Sequence, residues 1–476
     1  MNQTNSMIKS ATRWNASPRL VCLCWLGACL LGGSTSRIGF ASQVHDQTPI
    51  ELSGFSISES YDVEDGAALD VNAPKVKQLL YRVMRTSPES RSLYSQYSSD
   101  IAWDDVVNQA ADYRFWVFDK QAVLKSVRKT QLANLSPAEE IQHVFVCHCE
   151  LADADSSIPF VVISRTLPKS LSKSGSYSTP VSMSGFFYAN AVDSHSESPT
   201  SLPVFIVDQL GWYPTETSAD VSPAHLRLAK HGMDVGLIDS IQSNNTKPLG
   251  SADAEAFFQL MGAIKSMDSV FDDSIGPKLG FTELMQKSES NFGEAVRIRG
   301  MVRSCSEITI PHPDIRKRLG VSKYYQLMIF PDLDGAKVVV RSKDGGTLDY
   351  RKFPVTICCT ELPAGVGPRQ IERTPVEVQG YFFRFWKYQS EKTQNVGVAG
   401  QISPLIVTKI PRILPQQSNR LTQIITVFVI AVIFGVAILL LYFRSAGQRR
   451  GSGRSSAGAQ ILDTLPEKID LSGVED

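Results

Sequence analysis

The residues best suited to chemistry begin with one stretch, Tyr381-Phe382-Phe383-Arg384-Phe385-Trp386-Lys387-Tyr388. Alternate residues of a strand point to opposite faces, so a strand here carries rings on both. One face must enter a core. The other either stacks a base or sugar or packs against a neighbouring domain. Tyr381, Phe383, Arg384, Trp386, Lys387 and Tyr388 are the candidate ligand contacts, with Arg384 and Lys387 suited to an anionic ligand. His143, Cys147 and Cys149 share strand parity and form a candidate soft-metal cluster. At ~3.3 Å per residue, His143 lies ~13 Å from Cys147, too far to share an ion. Cys358 and Cys359 are adjacent and point apart, so the spacing specifies no metal site. Glu150, Asp153 and Asp155 form one acidic cluster, and Asp332 and Asp334 another. Either could act as an acid–base pair, but both fall where turns are expected and neither has the register of a calcium loop.

The chain has no Gly-x-Ser-x-Gly elbow, no phosphate-binding glycine loop and no His-Glu-x-x-His motif. It therefore names no catalytic residue and no cofactor. Formal charge is zero over 476 residues, with 48 basic and 48 acidic side chains. No global excess of positive charge draws the chain to nucleic acid, whose affinity comes largely from phosphate contacts. Three of the eight cysteines (Cys22, Cys24, Cys29) lie in an N-terminal apolar segment. The five others, Cys147, Cys149, Cys305, Cys358 and Cys359, are an odd set in a large domain and read as buried small hydrophobes rather than a disulfide framework.

These residues need elements to hold them, and the two ends of the chain frame those elements. Residues 1–41 read as a secretory signal: a long basic region ending at Arg19, an apolar run from Leu20 to Leu31, and Gly39-Phe40-Ala41 as the cleavage site. Leu421 to Phe443 is free of charge and dense in Ile, Val and Leu. At ~1.5 Å per residue it reaches ~34 Å, enough to cross a ~30 Å hydrocarbon core. Arg444, Arg449, Arg450 and Arg454 follow it, which favours a cytoplasmic tail over 444–476. The expected placement is a single-pass cell-membrane protein with its large domain outside the cytoplasm.

The large domain reads as a duplication. Residues 159–188 align without a gap to 354–383, with eight identities in thirty, among them Pro159/Pro354, Thr179-Pro180-Val181/Thr374-Pro375-Val376 and Gly185/Gly380. Upstream, Val76, Leu79, Leu80 and Val83 match Phe257, Leu260, Met261 and Ile264 at an offset of 181, each set forming one helix face. Asn72 and Asp253 stand before them as expected N-caps. Phe115 and Val117 match Val296 and Ile298 at the same offset. The change of offset implies an insertion of about fourteen residues in the second copy, expected at Pro311–Lys323. Expected strands are Tyr113–Phe118, Val144–Glu150, Phe160–Ser164, Val181–Ala189 and Val204–Gln209. The second copy follows with Ala295–Arg303, Tyr324–Phe330, Val338–Val340, Val355–Cys359, Val376–Tyr388 and Leu405–Ile410.

Five strands with a bent first strand, a Leu-Pro loop after the third and a long Val-x-Val-x-Gly fourth strand resemble the OB-fold, a small Greek-key barrel. The resemblance covers 106–215 and 291–412. The repeat block also looks similar to uncharacterised exported, membrane-anchored proteins of planctomycete bacteria, a family that brings no activity with it. The expected fold is α+β, mainly β: two tandem five-stranded OB-like barrels, preceded by helical segments at 42–105 and 216–290. A linker at 413–420 leads to one transmembrane helix at 421–443. The expected function is an extracytoplasmic binding or interaction protein of the cell envelope, with a protein or glycan partner and no nucleic acid. The alternatives are an envelope enzyme at the acidic turns and a structural scaffold.

Overall fold

The computed structural model describes residues 48–133, 140–151, 158–194, 200–269, 278–286, 290–331, 338–341, 347–350, 353–388, 401–415 and 428–441. The signal reading, Asp153, Asp155, Asp332, Asp334 and the tail lie outside the described residues. The chain divides into two compact units, Met1–Pro415 and Gln416–Asp476. The first is an α+β body built on two mixed sheets. In the second, residues 428–441 are helical.

The first half of the large unit contains β1 (Ala67–Ala68), α1 (Pro74–Arg85), α2 (Pro88–Tyr94) and α3 (Trp103–Asn108). It continues with β2 (Val117–Gln131), β3 (His143–Leu151), β4 (Pro159–Thr166), β5 (Gly175–Val192), β6 (Ser201–Gln209) and β7 (Gly211–Trp212). Three helices follow: α4 (Pro223–Lys230), α5 (Ile238–Ser243) and α6 (Ser251–Ser266). The second half holds β8 (Ala295–Thr309), α7 (Pro313–Leu319), β9 (Lys323–Pro331), β10 (Val338–Arg341), β11 (Thr347–Tyr350) and β12 (Val355–Cys359). It ends with β13 (Pro375–Tyr388), β14 (Gln401–Thr408) and β15 (Arg412–Ile413).

Strand pairing repeats between the halves. The neighbours run β5-β2-β3-β4-β6, and β6 pairs back to β5. The second set runs β13-β8-β9-β12-β14, and β14 pairs back to β13. In each ring the parallel pairing joins the third strand to the last, β4 to β6 and β12 to β14. The registers match residue by residue. Val117 faces Phe186 as Ala295 faces Tyr381; Cys147 faces Val162 as Leu327 faces Ile357; Ile206 faces Phe186 as Val407 faces Tyr381. Both rings carry a bulge in the first strand, after Leu124 and after Val302, and another after Phe187 and after Phe382.

The matched glycines Gly185 and Gly380 sit where the fourth strand meets the fifth. A Cβ on Gly185 would lie 2.2 Å from the Ile206 carbonyl oxygen, and one on Gly380 would lie 2.3 Å from that of Val407. Backbone cannot yield as a side-chain tip can, so both positions exclude any side chain.

Alternate residues of the first ring form two cores. Phe118, Leu124, Phe145, Cys147, Phe160, Val162, Phe187 and Phe205 belong to one cluster. Val144, Val146, Val161, Ile163, Phe186, Val204 and Ile206 pack beneath Val76, Leu79, Leu80 and Val83 of α1. Each of those four helix residues is buried, and burial of such a side chain contributes roughly 1.5–3 kcal/mol. In the second half α6 takes the same place and buries Phe257, Leu260, Met261 and Ile264. Between the rings, α4 joins the two cores: Ala224 and Leu228 belong to the second, Ala229 to the first.

Several expectations are corrected. Register pairs Val117 with Ala295, so the first strands correspond at an offset of 178 rather than 181. The first strand begins at Val117, because residues 110–113 are helical and Phe115 has φ 66°. Gly293, the position equivalent to Phe115, has φ 73°, a conformation open to glycine. The main insertion is not at Pro311–Lys323. Equivalent positions lie 180 apart in β3 and β9 but 195 apart in β4 and β12, so the extra residues fall between the second and third strands, where β10 pairs with β11. Asn72 does not cap α1. Its Oδ1 accepts the Ala133 N–H at 2.7 Å, and Ala73 precedes Pro74 instead. Asp253 stands at the third position of α6, where its Oδ2 accepts the Gly250 N–H at 2.9 Å.

Gly185→Ala and Gly380→Ala are each expected to lower unfolding free energy by about 1–3 kcal/mol through overpacking. Gly175→Ala, with nothing within 4 Å of its Cβ position, should change it by no more than ~0.5 kcal/mol. Urea unfolding of the full chain in detergent, followed by tryptophan fluorescence, measures the difference.

Candidate functional site

Strand β13 carries the aromatic run into the protein. Tyr381, Phe382, Phe383 and Arg384 have no exposed surface, Trp386 is almost buried, and Lys387 and Tyr388 are half-buried. The Tyr381 hydroxyl reaches the Met267 sulfur at 3.7 Å, and Phe383 meets Phe257 edge-on at 5.6 Å. Of the six candidate contacts, Tyr381, Phe383 and Arg384 thus serve the core in this conformation. Trp386 lies beside Tyr388, their rings stacked at 5.1 Å.

The role of Arg384 is internal. Its Nε and Nη2 donate to Asp253 Oδ1 and Oδ2 at 3.0 and 2.7 Å. Nη1 donates to the Lys247 and Phe385 carbonyls at 2.8 and 2.9 Å, and Nη2 to that of Pro248 at 3.0 Å. All five guanidinium hydrogens are used, which is what burial of this cation requires. The pair fixes the start of α6 and its incoming chain to β13. Residue 189, the equivalent in the first ring, is Ala189, packed in the layer beneath α1.

Next to this pair is a cleft of about 70 Å³ between α6 and the outer face of the second ring. Its walls include Ala254, Phe257, Tyr324, Gln326, Thr356 and Trp386, with Asp253 at the edge. The space suits several waters or one small apolar group. Three polar atoms are tied behind it: Trp386 Nε1 donates to Thr356 Oγ1 at 3.1 Å, and Thr356 Oγ1 lies 3.0 Å from Ser403 Oγ. The same surface of the first ring differs in kind. At the positions of Tyr324, Gln326, Thr356, Cys358 and Trp386 it carries Val144, Val146, Val161, Ile163 and Ala191, all buried beneath α1. Aromatic and polar residues occur in one copy where the other has a plain apolar layer.

Nothing at the cleft is poised for covalent or acid–base chemistry. Burial raises the Cys358 thiol well above its ordinary range, and burial raises Tyr324 as well. The Asp253 carboxylate is committed to Arg384 and Gly250. Elsewhere, Cys147 and Cys149 are buried and burial likewise raises both. His148, on the opposite face, sits 3.0 Å from Asp193, which also accepts from Arg128 at 2.7 Å. Glu150 pairs with Lys125 at 2.7 Å. Among the described residues no group of three or more His, Cys, Asp or Glu is placed to hold a metal ion.

One titrating group stands out at the junction of the halves. Asp234 is buried, and its Oδ1 accepts the Trp212 and Gly236 N–H groups, each at 2.8 Å. Burial raises this carboxyl to about 7 in spite of those donors, and Glu255 and Asp239 push it the same way. The folded chain then holds a proton that the unfolded chain releases near pH 4. Stability should therefore fall as pH rises from about 4 through 7, up to tenfold in the unfolding equilibrium per pH unit. Asp234→Asn keeps the acceptor and should flatten that slope in denaturant titrations across pH 4–8.

Sequence reasoning reached Trp386 but missed the other walls. Phe257 was legible only as a helix-face residue and Tyr324 only as a strand residue; the contact between them depends on how α6 lies on the ring. Asp253→Ala is expected to cost about 3–5 kcal/mol in urea unfolding by leaving the Arg384 charge buried alone. Adding Arg384→Met should recover much of that loss. No protein-family model matches this chain, and the search of curated proteins found no match to it.

Proposed function

We propose that this chain is a membrane-anchored, extracytoplasmic binding protein of the cell envelope, and that its second module carries the binding cleft. The carrying observation is the difference between the two copies: Tyr324, Gln326, Thr356 and Trp386 border a cleft where the first copy has only packed Val and Ala. Buried polar groups cost free energy that an apolar layer does not, so their presence in one copy favours a retained use. The ligand we propose is a small apolar or aromatic group, presented by a protein or glycan partner of the envelope. Lys387 and Tyr388 are half-buried at the outer end of the strand. Nucleic acid is not the proposed partner, since the chain has no net positive charge.

OB-like barrels are our reading of the two rings. Their strand order, the parallel pairing of third to last strand and the bulged first strand support it. The planctomycete-type resemblance rests on the repeat block alone. The anchor we propose is Leu421 to Phe443. No helix among the described residues is long and apolar enough to cross a membrane. The described part, residues 428–441, is a helix with exposed apolar side chains, Phe428 at 68% and Phe434 at 66%. Such a surface is stabilised by lipid rather than water. Arg444, Arg449, Arg450 and Arg454 support a cytoplasmic tail.

A scaffold role is the second reading, favoured by the burial of Tyr381, Phe383 and Arg384. The two separate on one substitution. Ala254→Leu fills the cleft from a half-buried position, and under the binding reading it abolishes capture of the partner by photo-crosslinking in intact cells while the unfolding midpoint stays within about 2 °C of the parent. A variant that restores every defect of a deletion strain, with crosslinks unchanged, would favour the scaffold. In spheroplasts, external protease should remove the large domain and spare a tag on the tail; loss of the tag instead overturns the orientation.

A further inference from the structure

We propose that the outer face of β8, with β15 beside it, is a docking surface for anionic lipid headgroups, so that the second module lies down on the membrane that anchors the chain. This rests on the anchored reading above.

The face is a stripe of one strand. Arg297, Arg299, Met301 and Arg303 point outward from β8, while Val296, Ile298 and Val302 point into the core. Arg412 and Ile413 of β15 lie alongside, paired to Glu377 and Val376 of β13. Met301, 40% exposed, places a large apolar side chain on this cationic surface, whereas Ile413, 37% exposed, shares the side of its partner Val376 and so stands on the other face of the sheet. Arg303 rests over the Phe330 ring at 5.8 Å. The carboxylate in the stripe, Glu377, is buried and clasped by Arg297 at 2.9 Å and Arg299 at 2.6 Å. Two guanidinium groups thus hold the one carboxylate, and Arg303, Arg412 and the apolar Met301 share its face. That is the composition an interfacial lipid surface attracts.

The first copy serves as an internal control. Register places Asp119, Gln121, Val123 and Lys125 at the positions of Arg297, Arg299, Met301 and Arg303, and Lys125 is paired with Glu150. Trp212 stands where Ile413 does, but it is buried with Val221, Ala229 and Val235, beneath the segment that joins the copies. In the second copy no described segment covers that place, and the side chains there are cationic and apolar. The occupant is identified by what comes next in the chain. Leu421 begins eight residues after Ile413, a reach of at most ~28 Å at ~3.5 Å per residue. A surface held that close to a bilayer needs little further free energy to settle on it, because the tether supplies the effective concentration.

The test uses the full chain in vesicles of phosphatidylcholine, with or without phosphatidylglycerol. An environment-sensitive fluorescent amino acid is placed at position 301 or, separately, at 123, and nitroxide headgroup lipids report proximity. The expected result is quenching at 301 that requires phosphatidylglycerol and fades in high salt, with little quenching at 123. Arg303→Gln together with Arg412→Gln, both at exposed positions, should lower the bound-to-free ratio of the face roughly tenfold or more. Vesicle flotation with no quenching at 301, or with equal quenching at both positions, overturns the docking face and leaves the anchor standing. Failure to float overturns the anchor and the docking face together. A signal at 301 that depends on protein concentration and not on lipid assigns the face to a second copy and also overturns the proposal.

Discussion

Each ring closes because its fourth strand can approach its fifth without a side chain in the way. At Gly185 and Gly380 a single methyl would meet the carbonyl oxygen of the partner strand. Closure has two consequences. It leaves no unpaired edge between those strands, and it sorts alternate side chains into an inner set and an outer set. The inner set fills the ring. The outer set requires a second cover, and α1 and α6 supply it. The helices are thus not ornaments before the strands but the other half of each core, and the cleft on the outer face lies between ring and helix.

The duplication lets one copy interpret the other. Where registers, bulges and glycines coincide, the residues answer to the architecture: Leu124 and Val302 precede the same bulge, and Phe187 and Phe382 another. Where the copies part, architecture does not dictate the residue. Ala189 becomes Arg384, Ala191 becomes Trp386 and Val161 becomes Thr356. The second copy thereby exchanges a plain apolar layer for a buried ion pair and a hydroxyl chain. A buried pair seldom gains stability over well-packed hydrophobes of similar size. What it gains here is position: Arg384 ties the carbonyls of Lys247 and Pro248 to β13 and so sets where α6 begins.

The two junction surfaces show the same logic. In the first copy β7 is covered by the connecting segment, with Asp234 bonded to the Trp212 N–H. In the second copy the equivalent β15 carries Arg412 and exposed Ile413. A repeated fold creates the same surface twice, and chain connectivity decides which copy is covered from within.

The sequence by itself determined the elements. The apolar-rich runs Val355–Cys359 and Val376–Tyr388, and the helical spacing of Val76, Leu79, Leu80 and Val83, are local signals, and the structure places strands and a helix there. The gapless block from Pro159 to Tyr188 was legible as a repeat because identities at one offset need no spatial knowledge. The first strand was misplaced by a local conflict: its polar residues Asp119, Lys120 and Gln121 hide the alternation, while the apolar run around Phe115 belongs to a turn with positive φ. Only the tertiary structure decided the fate of Arg384. A cation in an aromatic strand reads as a ligand contact until its partner is known, and Asp253 lies 131 residues earlier in the chain. Ion pairing across that distance is set by how helix α6 packs on the ring, a three-dimensional fact that no spacing along the chain encodes.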